Sequence, residues 1–192
     1  MDKQIIFYTD GSYKNKKCGY AFLFHFQHDK TLPTICYGVY HGKNSTSAEI
    51  SAIIKAIEYI KYLKLKGFLI EIRTDLLILA NNLSRKMYIQ WDKCLWKKEN
   101  GRKVISNTSE WFMLCSLLKS DTDNSFIFSK VKSKKDSLSR KIDFYSKVGR
   151  NLNINKTGFL YVVKLSANNY MTSRLDLSNF TYSMNDITNS PL

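Results

Sequence analysis

The chain has 192 residues, enough for one domain with a real core plus a modest extension, and its 44% hydrophobic content excludes a wholly disordered segment. Thirty Lys and Arg against 16 Asp and Glu give a formal charge of +14, a one-sided field suited to a polyanionic partner such as nucleic acid. Four scattered cysteines without a Cys-x-x-Cys pair exclude a zinc ribbon and read as reduced thiols. Apolar runs such as Leu76 to Ala80 are too short to span a bilayer, and the start lacks a basic stretch followed by an apolar one. A soluble, cytoplasmic protein, monomeric and without membrane contact, is the expectation.

Ile5 to Tyr8, Tyr20 to Phe26 and Ile35 to Tyr40 are rich in β-branched and aromatic residues and are separated by turn-forming stretches, which predicts an antiparallel meander. From Thr46 to Leu65 the period becomes helical, with Glu49, Ala52, Ile53, Ala56, Ile57, Ile60 and Leu63 on one face and Gly67 as the stop. Phe68 to Thr74 alternates like a strand completing a β-α-β crossover. Helices are predicted at Leu76 to Leu83 and Glu110 to Leu118, with a basic, aromatic stretch from Arg85 to Lys103 between them. A last strand follows at Phe126 to Val131 and a last helix at Leu138 to Gly149. The fold class is therefore α/β: a mixed five-stranded sheet, three antiparallel strands then two parallel, flanked by helices. Residues 1–150 read as the working domain. Residues 151–192 turn to Asn, Ser and Thr and read as an extension of unassigned function, part strand around Phe159 to Leu165 and part disordered tail.

Four acids fall at or beside the ends of apolar segments: Asp10, Glu49, Asp75 and Asp143. Each has a plain structural reading. Asp10-Gly11 favours a tight turn with Ser12 capping the bend, and Thr46 with Glu49 matches a capping box. Asp75 suits the N-cap of the next helix, and Asp143 suits a solvated charge among Lys141, Tyr145 and Lys147. Against these, Glu49 lies on the apolar stripe, where a carboxylate needs a partner and a divalent cation supplies one. The set of four in order is more telling than any one of them.

At this point the chain resembles a type 1 ribonuclease H. Tyr8-Thr9-Asp10-Gly11-Ser12 resembles the family's first-strand motif, and Gly19-Tyr20-Ala21 resembles the opening of its second strand. Ser45-Thr46-Ser47-Ala48-Glu49 is similar to its helix start, Arg73-Thr74-Asp75 to the end of its fourth strand, and Ile142-Asp143 to the last helix. The resemblance spans roughly residues 4 to 150. It implies an RNase H-like fold and a metal-dependent endonuclease, a hydrolase, that cuts the RNA strand of RNA/DNA hybrids to leave 5′ phosphate and 3′ hydroxyl ends. It also implies two Mg²⁺ or Mn²⁺ ions held by Asp10, Glu49, Asp75 and Asp143, Asp10 bridging them, with one ion activating water and the other stabilising the leaving oxygen.

Trp91, Lys93, Trp96, Lys97, Lys98, Arg102 and Lys103 interleave stacking faces with cations and resemble the family's basic protrusion, which grips the DNA strand; two tryptophans packed inward is the plainer reading. Gly11, Ser12, Ser45 and Thr46 stand beside the acids as candidate contacts to 2′ hydroxyls, Ser45 and Thr46 replacing asparagines common in the family. The loop before the last helix lacks the family's histidine, leaving Lys134 and Lys135 as electrostatic stand-ins and predicting slower turnover. His25, His28 and His41 lie in early strands or turns and read as structural. The rival readings are a non-catalytic nucleic-acid-binding module and another two-metal nuclease on the same fold, such as a resolvase or an exonuclease.

Overall fold

The computed structural model describes residues 3–27, 32–97, 105–131, 137–153, 159–165 and 170–176. In chain order these form β1 (Lys3–Lys14), β2 (Lys17–Phe26), β3 (Thr34–Tyr40), α1 (Ser45–Tyr62), β4 (Phe68–Thr74), α2 (Leu77–Ser84), α3 (Met87–Lys93) and α4 (Thr108–Ser120). β5 (Ser125–Lys130), α5 (Ser137–Arg150), β6 (Phe159–Leu165) and β7 (Tyr170–Asp176) complete them. One sheet runs β5-β4-β1-β2-β3-β6-β7.

Where five strands were expected there are seven, and the split differs. The β1–β2, β2–β3, β3–β6 and β6–β7 ladders are antiparallel, and β1–β4 and β4–β5 are parallel. The added pair comes from residues 159–176, which lay β6 along β3 with Thr34 opposite Lys164 and Tyr37 opposite Tyr161. Within β6, Leu160 and Val162 enter one core while Val163 enters the other, so the strand is covered on both faces.

β1 shows the period-two logic that builds the layers. Ile5 and Phe7 point to the face covered by α1, itself backed by α4, beside Phe22, Ile53 and Leu114; Ile6 and Tyr8 point to the face covered by α5, beside Ala21, Ile35 and Ile142. Full burial of side chains such as Ile53 stabilises by about 1.5–3 kcal/mol each. Because α1 is covered nearly all round, its charges must pair inside it: Lys55 Nζ donates to Glu58 Oε2 at 2.7 Å. Burial still pushes the Glu58 carboxyl above its ordinary value.

The helix stop differs from expectation. α1 ends at Tyr62, and Lys64, at φ 53°, takes a left-handed turn behind it; Gly67, the expected stop, sits at φ 73° further along the loop. All four cysteines are unbridged; Cys18, Cys36 and Cys115 are buried and Cys94 is exposed. Among the described residues, no helix is long and apolar enough to cross a membrane.

Candidate active site

Three of the plain readings of the acids give way to the structure. Asp10, Gly11 and Ser12 do not turn. They continue β1 opposite Ala21, Tyr20 and Gly19, and the hairpin turns at Asn15 and Lys16, both at positive φ. Thr46 does not cap α1; Asn44 does, its side chain accepting from the Ser47 N–H at 2.8 Å. Asp75 does not cap α2 either. Leu76 occupies that position and has no side-chain cap.

Released from those roles, Asp10, Glu49 and Asp75 each place a carboxylate oxygen so that the three lie within 4.8 Å of one another. The parallel pairing of β1 with β4, Thr9 opposite Thr74, aligns Asp10 with the residue just past β4. Gly11 supplies the third member. A Cβ there would sit 2.3 Å from the backbone of Ala48 and Glu49, so only glycine lets α1 close on β1 and carry Glu49 in. Three hard oxygen donors at this spacing suit a hard divalent cation such as Mg²⁺ or Mn²⁺ and would repel one another without one.

Asp143 stands apart from this group. It lines the same cleft as Thr9, Asp10, Asp75, Ser139 and Arg140, but its carboxylate is half-exposed and paired with Lys147 Nζ at 2.7 Å, one helical turn on. Sequence reasoning passed over its neighbours on α5. Ser139, Asp143, Ser146 and Arg150 recur at helical spacing, the signal that could have exposed them. The Ser139 hydroxyl is buried and finds no hydrogen-bond partner among the described residues. Ser146 Oγ, fully buried, donates to Asp10 Oδ2 at 2.5 Å, and Arg150 Nη1 donates to Ser12 Oγ at 2.6 Å.

Two residues before Asp75 a different arrangement appears. Arg73 clasps Glu71 with two bonds, Nε to Oε1 at 2.9 Å and Nη2 to Oε2 at 2.8 Å, and donates to the Tyr8 hydroxyl at 2.8 Å. Ser129 also donates to Glu71, at 2.7 Å. The Arg73 hydrogen bonds hold the Glu71 carboxyl below its usual range, against the opposing effect of burial.

Of the residues expected to touch substrate, Gly11 and Ser12 lie beside Asp10, with Ser12 buried; Ser45 is exposed and Thr46 half-buried in the first turn of α1. The two tryptophans turn inward. Trp96 is buried edge-on to Phe112, and Trp91 is half-buried edge-on to Trp111. An indole at these positions reaches the α1 core before it reaches solvent, leaving exposed Lys93 and Lys97 as the cationic part. Lys98, Arg102, Lys103, Lys134, Lys135 and His28 lie outside the described residues.

The RNase H family model matches residues 2–138 and stops short of Asp143. No curated protein matches the chain in sequence. LC9-RNase H1, described as a type 1 RNase H with the type 2 active-site motif, superposes with a TM-score of 0.64 at 10% identity, covering 98% of this chain and 85% of its own. RNase H1 of the halophilic archaeon Halobacterium salinarum gives 0.53 at 14% identity, over 76% of this chain and 96% of its own. The foamy viral protease-reverse transcriptase, solved with an RNA/DNA hybrid, gives 0.59 at 18% identity over 78% of this chain; the match spans about a fifth (20%) of that longer protein.

Proposed function

The chain belongs to the RNase H family, and from that premise we propose that it is a metal-dependent endoribonuclease that cleaves the RNA strand of RNA/DNA hybrids, leaving 5′ phosphate and 3′ hydroxyl ends. The observation that carries this reading is the convergence of Asp10, Glu49 and Asp75, from a strand, a helix and a strand end, within 4.8 Å. A structural ion pair would need one such acid and a cation; gathering three carboxylates at the mouth of a cleft has a use only if divalent cations neutralise them.

When bound there, a pair of Mg²⁺ or Mn²⁺ ions supplies an activated water and charge stabilisation at the leaving 3′ oxygen. The residues have separable tasks. Asp10, Glu49 and Asp75 would hold the ions, and Asp143, at the rim, would assist them. Lys93 and Lys97 neutralise phosphates of the DNA strand, and Ser45 and Thr46 address the 2′ hydroxyls that separate RNA from DNA. All these residues come from 1–150, which we take as the catalytic unit. In the absence of the family's loop histidine, Lys134 and Lys135 provide only electrostatic help, so turnover is slow.

The test is cleavage of labelled RNA/DNA hybrid, duplex DNA and duplex RNA in Mg²⁺, Mn²⁺ or chelator. Hybrid cutting that needs metal and disappears in Asp10→Asn supports the proposal. Binding without cutting in either metal would make the chain an inert module, and cutting of duplex or branched DNA would make it another kind of nuclease.

A further inference from the structure

Outside the acids themselves, one side chain makes a contact that the packing of α5 does not require: Ser146. Its hydroxyl is fully buried and donates to Asp10 Oδ2 at 2.5 Å, and the Asp143 carbonyl lies 3.0 Å from the same oxygen. A serine within a helix ordinarily returns its single proton to a carbonyl one turn back. Here the charged carboxylate is the stronger acceptor and lies nearer, so the proton is directed out of the helix toward β1.

The seat of α5 makes this placement firm. A Cβ on Gly19 would lie 2.1 Å from Arg150 N and 2.2 Å from Ser146 O, so α5 rests on the bare backbone of β2 at the height where Ser146 faces Asp10. One turn further, Arg150 Nη1 ties the helix to Ser12 in β1. The helix that carries Asp143 is thus seated on β2 at Ser146 and tied to β1, the strand that carries Asp10, one turn further on.

We infer that Ser146 is a positioning residue of the metal site: its buried hydroxyl fixes one oxygen of Asp10, setting how the carboxylate meets the cations and keeping it in register with Asp143. This rests on the metal reading proposed above. Losing a group that holds a metal ligand in place typically weakens metal binding by about 10- to 100-fold.

The test is calorimetric titration of Mn²⁺ into the full chain without substrate, for wild type, Ser146→Ala and Ser146→Cys. Alanine is the better helix former and removes only the hydroxyl, so its melting temperature should stay within a few degrees of wild type. Its Mn²⁺ affinity should fall about tenfold, with the weak thiol donor of Ser146→Cys in between. In hybrid cleavage, the Mg²⁺ concentration for half-maximal rate should rise by a similar factor while KM for hybrid holds and saturating Mg²⁺ restores the rate. Equal Mn²⁺ affinity in all three proteins overturns the role of Ser146 and leaves the nuclease reading standing. A wild type that binds no Mn²⁺ overturns both. A wild type that binds Mn²⁺ without cutting hybrid overturns the nuclease reading alone, and the order serine, cysteine, alanine in affinity still decides for Ser146.

Discussion

Along β4 and just beyond it, Glu71 and Asp75 stand four residues apart in the chain and receive opposite treatment. Glu71 is clasped by Arg73, touched by Ser129 and held below its usual carboxylate range. Asp75 is delivered instead into a group with two further carboxylates, Asp10 and Glu49. The first arrangement satisfies a charge within the protein and stabilises the fold; the second gathers like charge, which a divalent cation would neutralise. A chain selected for stability alone would build only the first kind, and it is on the second that the proposed nuclease function rests.

That contrast breaks first at Asp10. Asp10→Asn should lower kcat on RNA/DNA hybrid by a factor on the order of 10³, as loss of a main electrostatic contributor does. It should also raise the melting temperature in chelator, because one of the mutually repelling charges is gone. Unchanged cleavage, or a clear loss of stability, would remove the distinction between the two clusters. Asp143→Asn should cost less, about 10-fold in kcat, since that carboxylate stands at the rim and already pairs with Lys147. Its stability should shift by no more than about 0.5 kcal/mol in a urea melt.

Arg73→Ala should do the reverse of Asp10→Asn: destabilise by about 1–2 kcal/mol, through the lost bonds to Glu71 and Tyr8, and leave kcat nearly intact. The smallest expected effect is in pH dependence. Because the Glu71 pKa is depressed in the folded chain, its contribution is complete above the unfolded carboxylate range near about pH 4.3 and is lost as pH falls through the depressed folded value. Acid melts of Arg73→Ala should therefore show a shallower loss of stability below about pH 4 than wild type. Parallel acid profiles would mean that Arg73 does not hold Glu71 in solution.

Much of this was legible from residue order, and the misses have common causes. The helical stripe from Glu49 to Ile60 and the alternation of Phe68 to Thr74 gave the elements that carry two of the three gathered acids, because burial imposes those periods directly. Asp10-Gly11 misled because the pair is turn-prone in isolation, whereas the glycine is needed for the approach of α1 to β1. Thr46 with Glu49 satisfies the capping-box pattern, yet Asn44 begins the helix earlier and satisfies Ser47 N–H itself. The place of β6 in the sheet escaped because strand pairing is a long-range choice: nothing within Phe159 to Leu165 says that its partner is β3. Trp91 and Trp96 carry the composition of a stacking surface, but the side chains of α4 lie close enough to take them into the core. Ser146 was invisible for a simpler reason. A serine in a helix carries no pattern until the strand opposite it is known.

The β6–β7 hairpin has a consequence for handling the protein. With β6 in place, β3 is an internal strand, and among the described residues the outer strands of the sheet are β5 and β7. A chain cut at residue 150 would leave β3 with a row of unpaired amides and strip Leu160, Val162 and Val163 from both cores. Such rims recruit one another. The shortened chain should scatter light and precipitate at concentrations where the full one stays clear, even though every acid of the site is present in both.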